Sequence, residues 1–221
     1  MITMTIKNYA ILSPEQELAV QEAVSRAESS TSGEIVPMLV HCSDEYREAA
    51  CQAATIIATT LSLSLALAFR DTSIWFFLPV AFLFYFPTLA VVRRLPRLKL
   101  AFTPAARISD IVRDRAIFAF YEEGLHRTRE HNGILIFISM IEHKVWILGD
   151  HAINAVIPAE RWISLASRLS SGIRQGTMTQ SLTEVIAEVG SILQQHFPSR
   201  SDDTNELPDL IRARGLDPQQ N

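Results

Sequence analysis

Apolar residues recur at helical spacing near both ends of the chain and run almost without interruption through its middle. Ser13 stands before Pro14, with Gln16 three residues on, which is the form of a capped helix start. Val20, Ala23, Val24 and Ala27 then make one apolar stripe, so the pattern predicts a helix ending near Ser30. Ser32-Gly33 turns the chain into Glu34 to His41, a mostly apolar run that reads as a strand. Pro37 within it lacks an N–H and argues for an edge position or a bulge.

Two longer apolar stretches follow. Ala49 to Phe69 and Ser73 to Val92 contain no charged residue, and each is long enough as a helix, roughly 30 Å, to cross a hydrocarbon core. The first is the weaker because Thr55, Thr59, Thr60, Ser62 and Ser64 dilute it, so it is expected to insert as a pair with the second. Only Arg70, Asp71 and Thr72 separate the two, which requires an antiparallel hairpin with a tight turn. The small hydroxyl residues are expected to let the helices approach closely and to hydrogen-bond across the seam. Pro79 and Pro87 are candidates for a kink in the second helix or for a packing seam. A pair of buried helices in a soluble bundle would carry a polar face, and neither stretch has one.

Helical spacing resumes after Thr103-Pro104, where Ile108, Ile111, Val112, Ala116, Ala119 and Phe120 predict a helix to about Glu130. Asn132-Gly133 breaks the chain before Ile134 to Ile141, a continuous apolar run expected of a central strand covered on both faces. Glu142-His143 turns it into Lys144 to Leu148, a hairpin partner. Two amphipathic helices come next, one on Trp162, Leu165, Ala166, Leu169 and Ile173, the other on Leu182, Val185, Ile186, Val189, Ile192 and Leu193. From Pro198 the chain is polar and reads as a mostly disordered tail. The order predicts an α/β fold, a small mixed sheet with helices on both faces, in which residues 1–48 and 93–197 form one domain, 49–92 a membrane hairpin inserted in it, and 198–221 the tail.

Composition agrees with a membrane segment: 48% of the 221 residues are apolar. The first eleven residues lack an apolar core of about seven residues and a small-residue cleavage site, so they do not read as a signal peptide. Arg93, Arg94, Arg97 and Lys99 follow the second span and Arg47 precedes the first, against Arg70 alone at the turn. The positive-inside rule then puts both termini in the cytoplasm and the hairpin in the plasma (inner) membrane. A net charge of −4 gives no footprint for nucleic acid. Cys42 and Cys51 have neither disulfide-framework nor zinc spacing.

The candidate chemistry is sparse. Asp150 and His151 follow a strand at a sheet edge, where α/β proteins commonly hold ligands, and could coordinate a metal or a phosphate-bound cation. Equally, Asp150 could cap the next segment with His151 in solvent. Asp44 and Glu45, just past His41 and the first strand, would approach Asp150 if the strands ran parallel, making an oxygen-rich cleft; they are also good first-turn residues for the helix entering the membrane. Glu142 and His143 occupy the other hairpin end and cannot share that cleft. His126, Arg127 and Arg129 form a basic patch that a helix C-terminus explains as well as an anion site does. No phosphate loop, Cys-x5-Arg loop, Gly-x-Ser-x-Gly elbow or His-Glu-x-x-His motif is present.

Asn8-Tyr9-Ala10-Ile11-Leu12-Ser13, Thr31-Ser32-Gly33-Glu34-Ile35-Val36, and Gly124 through Asn132-Gly133-Ile134-Leu135-Ile136 to a hairpin ending Gly149-Asp150 together resemble the TPM-domain family. The resemblance covers residues 8–41 and 104–197, and is nearest to bacterial members split by a membrane hairpin. Some members of that family are described as acid phosphatases, some bind calcium through acidic loop residues, and others are accessory or assembly proteins of membrane complexes. This chain departs from it where Asn8 replaces an Asp before the opening Tyr and where Gly149-Asp150-His151 replaces Gly-x-Gly. The resemblance thus implies either a binding or accessory module for a membrane complex, or a calcium- or magnesium-dependent phosphatase whose metal would lie among Asp150, His151, Asp44 and Glu45. The first is favoured because it needs no catalytic constellation, and the expected partners are the lipid bilayer and a membrane-protein complex.

Overall fold

The computed structural model describes residues 12–70, 73–199 and 212–214. The expectations for Asn8 to Ile11, for the turn at Asp71-Thr72 and for most of the tail lie outside them. The chain divides into two compact units, one of residues 1–43 with 111–221 and one of Asp44–Asp110.

The first unit opens with α1 (Pro14–Glu28), whose capping box is complete: Gln16 N–H donates to Ser13 Oγ at 3.2 Å, and Ser13 N–H donates to Gln16 Oε1 at 2.9 Å. β1 (Glu34–Val40) follows, buried at every residue. In the second unit come α2 (Arg47–Phe69), α3 (Ile74–Arg93), the short α4 (Pro96–Ala101) and the start of α5 (Ala105–Glu122). Back in the first unit, Gly124 in the left-handed region (φ 78°) ends the helical run well before Glu130 and a 3-10 turn spans Leu125–Arg127. β2 (Gly133–Ser139), β3 (Lys144–Gly149), α6 (His151–Val156), α7 (Ala159–Gln175), α8 (Met178–His196) and β4 (Arg212–Arg214) complete it.

The sheet is four-stranded, in the order β3-β2-β1-β4. β1 and β2 are parallel, with Glu34 beside Gly133 and Val40 beside Ser139, while β2 and β3 form an antiparallel hairpin with Ile134 beside Gly149. The tail therefore contributes a strand, parallel to β1 at Met38–Val40. This places β1 inside the sheet rather than at its edge. Among the described residues β4 pairs with β1 at Met38 to Val40, past Pro37, the residue that lacks an N–H.

Alternate strand residues feed two buried layers. Ile35, Leu39, Ile134, Ile136, Ile138, Val145 and Ile147 form one core with Val20 and Val24 of α1, Leu165 and Leu169 of α7, and Leu182, Val185 and Val189 of α8. Residues of opposite parity, Val36, Met38, Leu135 and Phe137, lie outside that core but are equally buried, as are Val112, Ala116, Ala119 and Phe120 of α5. The fold is an α/β/α sandwich with a small mixed sheet, interrupted in sequence by two apolar helices. Close backbone approach is met by glycine: a Cβ on Gly190 of α8 would lie 2.6 Å from Cβ of Ala27 on α1.

In the second unit α2 and α3 pack together along a stripe of small α2 residues at four-residue spacing: Ala50, Ala54, Ala58, Ser62 and Ala66. The hydroxyls do not bond across this seam. Thr55 donates to Cys51 O, Thr60 to Ile56 O, Ser62 to Ala58 O and Ser64 to Thr60 O, each at 2.7–2.9 Å. Back-bonding to the preceding turn satisfies each donor within its own helix. Both helices are long and apolar enough to cross a membrane. Their large side chains are exposed, with Trp75 at 83%, Leu83 at 69% and Phe82 at 68%, and α3 continues through Pro79 and Pro87.

Candidate functional site

The antiparallel turn of β3 decides where Asp150 falls. β3 ends beside the start of β2, so Asp150, whose N–H donates to Gly133 O at 2.9 Å, lies at the end of the sheet where β1 and β2 begin. His41 lies past the far end of β1, where the β2–β3 turn returns Ile141 N–H to His41 O at 3.0 Å. Seven strand residues at about 3.3 Å each put roughly 20 Å between the two ends. The expected approach of the His41-x-x-Asp44-Glu45 segment to Asp150 fails at its first residue, because the parallel pair is β1 with β2, whereas Asp150 sits on the strand that reverses.

Asp44 and Glu45 have local partners of their own. Asp44 Oδ1 accepts from Glu45 N–H at 2.6 Å, and the Glu45 carboxylate accepts from Arg47 Nε. That guanidinium holds the Glu45 carboxyl below its usual range, against a smaller opposing effect of burial.

Asp150 is the N-cap of α6, and its Oδ1 accepts from His151 N–H at 2.7 Å. Its side chain is 13% exposed, and Oδ2 lies 3.3 Å from His131 Nδ1. The imidazole facing Asp150 is therefore His131; His151 is the exposed first residue of α6. His131 adopts a left-handed conformation (φ 52°) just before Asn132-Gly133. The hairpin register carries the signal for this pair, since a turn at Ile141 to His143 sets Gly149 against Ile134 and so Asp150 against the residues preceding β2. Gly149 is required here because a Cβ would sit 2.7 Å from Ile153 Cγ2. Among the described residues no three His, Cys, Asp or Glu side chains converge on a metal position. One carboxylate and one imidazole can hold a polar ligand or share a proton, whereas a calcium site takes six to eight oxygens.

The same end of the sheet holds the residues that carry the sequence motifs. Asn132 is 2% exposed; its Nδ2 donates to Ser32 O at 2.6 Å, its N–H donates to Thr128 Oγ1 at 3.2 Å, and its carbonyl accepts from Glu34 N–H at 3.3 Å. These bonds join the entries of β1 and β2, so Thr31-Ser32-Gly33-Glu34 and Asn132-Gly133 are two halves of one structural device.

Residues 97–192 match the TPM-domain family model. The TPM match includes Asp150, His131 and both strands of the hairpin but not the Thr31 to Val36 motif. Nothing matches among curated proteins. Among solved structures, the NMR structure of BA42 protein from the psychrophilic bacterium Bizionia argentinensis superposes with a TM-score of 0.59 at 22% identity, covering 95% of this chain and 100% of that one. At that identity the likeness is one of fold.

At the opposite end of the sheet, at the hairpin end where the sequence placed Glu142, lies a second polar cluster. Glu142, 8% exposed, accepts at Oε1 from Ser43 N–H at 2.8 Å and from Cys42 Sγ at 3.3 Å, and at Oε2 from Ser139 Oγ, whose own oxygen accepts from Ser43 Oγ at 2.8 Å. It ties the exit of β1 to the β2–β3 turn. Nothing in its pattern distinguishes Glu142 from a solvated turn residue.

Proposed function

We propose that α2 and α3 anchor the chain in the plasma (inner) membrane, with both termini cytoplasmic, and that the α/β/α unit serves as a binding or accessory module for a membrane-protein complex. The observation that carries this reading is the outward apolar surface of α2 and α3. Side chains such as Trp75, Phe82 and Leu83 would each lose on the order of 1.5–3 kcal/mol in water relative to lipid, and the α2 hydroxyls of Thr55, Thr60 and Ser64 are satisfied within their own helix. The orientation is supported by Arg93, Arg94 and Arg97 at one end of the hairpin against Arg70 at the other. The module reading is supported by Asp150, which is engaged as a helix cap and by His131.

A metal-dependent phosphatase is the second reading, and the Asp150–His131 pair within the TPM match is what favours it. It would need two or more further oxygen ligands and an activated water or nucleophile.

A reporter active only outside the cytoplasm should work when inserted at Asp71 and fail when fused after Asn221. The reverse pattern refutes the orientation, and activity at neither site refutes the anchor.

A further inference from the structure

We infer that the base of the hairpin binds the phosphate of an anionic phospholipid through Arg93, Arg94 and Arg97. The inference rests on the membrane reading and adds to it a lipid class and the residues that select it.

The three guanidiniums are exposed and form no ion pair among the described residues, in a chain whose net charge is −4. Their cationic neighbours are already engaged: Arg47 pairs with Glu45, Arg107 Nη2 lies 2.6 Å from a Glu48 oxygen, and the Lys99 ammonium, 8% exposed, donates to Glu45 O at 2.6 Å. The arginines are held on fixed backbone. Arg93 ends α3, and Arg94 caps it, donating its N–H to Val91 O at 3.1 Å. Arg97 stands in the first turn of α4, whose Leu98, with Phe102 just past its end, packs on Ala50, Ala53 and Val92 of the hairpin. Leu95, between them, is 47% exposed.

Intramolecular electrostatics account for only part of the set. The C-terminus of α3 favours Arg93 and Arg94, but the first turn of a helix disfavours the cation at Arg97. An external anion removes that conflict. The guanidinium fork matches phosphate oxygens in pairs, and an apolar residue among three arginines suits a ligand whose charged group sits directly above acyl chains. The occupant is therefore a lipid rather than a free anion.

The test uses the full-length chain in vesicles of phosphatidylcholine alone or with a minority of phosphatidylglycerol. Insertion is read by resistance to alkaline extraction, and retained lipid is counted by native mass spectrometry from a mild detergent. The ratio of retained phosphatidylglycerol to phosphatidylcholine should exceed the bulk ratio on the order of a hundredfold, with about fivefold lost for each arginine removed. The R93Q/R94Q/R97Q variant should insert normally yet retain lipid in bulk proportion, while R70Q keeps the enrichment and millimolar inorganic phosphate leaves it unchanged. An inserted wild type without enrichment, or an enrichment that survives the triple substitution, overturns the inference and spares the anchor. Displacement by inorganic phosphate overturns the assignment to lipid, and failure to insert in either vesicle overturns both readings.

Discussion

Asn132 Nδ2 donates to the carbonyl oxygen of Ser32 at 2.6 Å across the entry of two parallel strands. The bond joins residues 100 positions apart, and further hydrogen bonds tie Asn132 to Thr128 and Glu34, and Ser32 to Glu130 and Phe197. Asn132→Ala leaves the Ser32 carbonyl without this partner in a buried setting, so it should cost about 1–3 kcal/mol. Asn132→Asp should be worse, because it sets a carboxylate against that carbonyl. Denaturant unfolding followed by hydrogen exchange at β1 and β2 would measure both, and an unchanged stability in either variant would remove Asn132 from its structural role.

Gly190 gives a case in which two effects oppose each other. Alanine in a helix interior gains about 1 kcal/mol over glycine in propensity, but here its Cβ would meet Ala27 Cβ at 2.6 Å and Ala27 Cα at 3.1 Å. Overpacking against backbone costs about 1–3 kcal/mol, so Gly190→Ala should be destabilising on balance. The double substitution A27G/G190A should recover part of the loss. Thermal melts of the three variants decide it, and a stabilised Gly190→Ala would mean that α1 and α8 are not in contact.

Local signals in the sequence were sufficient wherever a segment is decided by its own residues. The capping box of Ser13 and Gln16, the two apolar runs and the apolar strand at Ile134 are such cases. Long-range partners were not legible. Nothing in Arg212 to Arg214 announces a strand, because its pairing depends on β1, and the central place of β1 depends in turn on that pairing. Asp150 was found as a polar residue at a strand end, but its partner His131 follows only from the hairpin register, and the hydroxyls of α2 bond within their helix because their own backbone is nearer than α3. The hairpin places Glu142 at the other end of the sheet, but its burial is a tertiary fact that a turn position does not announce.

That carboxylate should be expensive to alter. Glu142 accepts from a backbone N–H, a thiol and a serine hydroxyl, and Glu142→Gln turns one accepting oxygen into a donor facing donors. A loss of about 1.5–3 kcal/mol is expected, the range for hydrogen bonds to a charged group. Ser139→Ala removes one donor and should cost less. Chemical denaturation of both variants is the check, and an equal or smaller effect for Glu142→Gln would show that the cluster is not held by its carboxylate.

Glu45 makes a prediction about pH. Its folded pKa is depressed by Arg47, so the stability it contributes is present above the unfolded value, about 4.3, and is lost as pH falls through the lower folded value. With the Glu45 side chain 39% exposed, solvent screening keeps the contribution within about 0.5 kcal/mol. Arg47→Gln should raise the titration midpoint of the Glu45 carboxyl in carbon-detected NMR and flatten the acid limb of stability slightly. A midpoint that stays put in the variant would assign the depression to another group.

Asp150 separates the two functional readings. As a helix cap its removal in Asp150→Ala should cost about 1 kcal/mol, and Asp150→Asn, which can still accept from His151 N–H, should cost less. As a catalytic or metal-holding acid it would behave differently: asparagine loses the charge, so both variants would abolish turnover together. Phosphoryl transfer needs a barrier lowered by well over about 10 kcal/mol, which one carboxylate and one exposed imidazole do not supply without further ligands. The expectation is that the full-length chain hydrolyses a generic aryl phosphate at the background rate from acid to neutral pH, with or without calcium or magnesium, and that neither variant changes this. Metal-dependent turnover in the wild type that disappears in both Asp150→Ala and Asp150→Asn, while the melts shift by no more than the loss of a cap, would move the phosphatase reading ahead of the binding module.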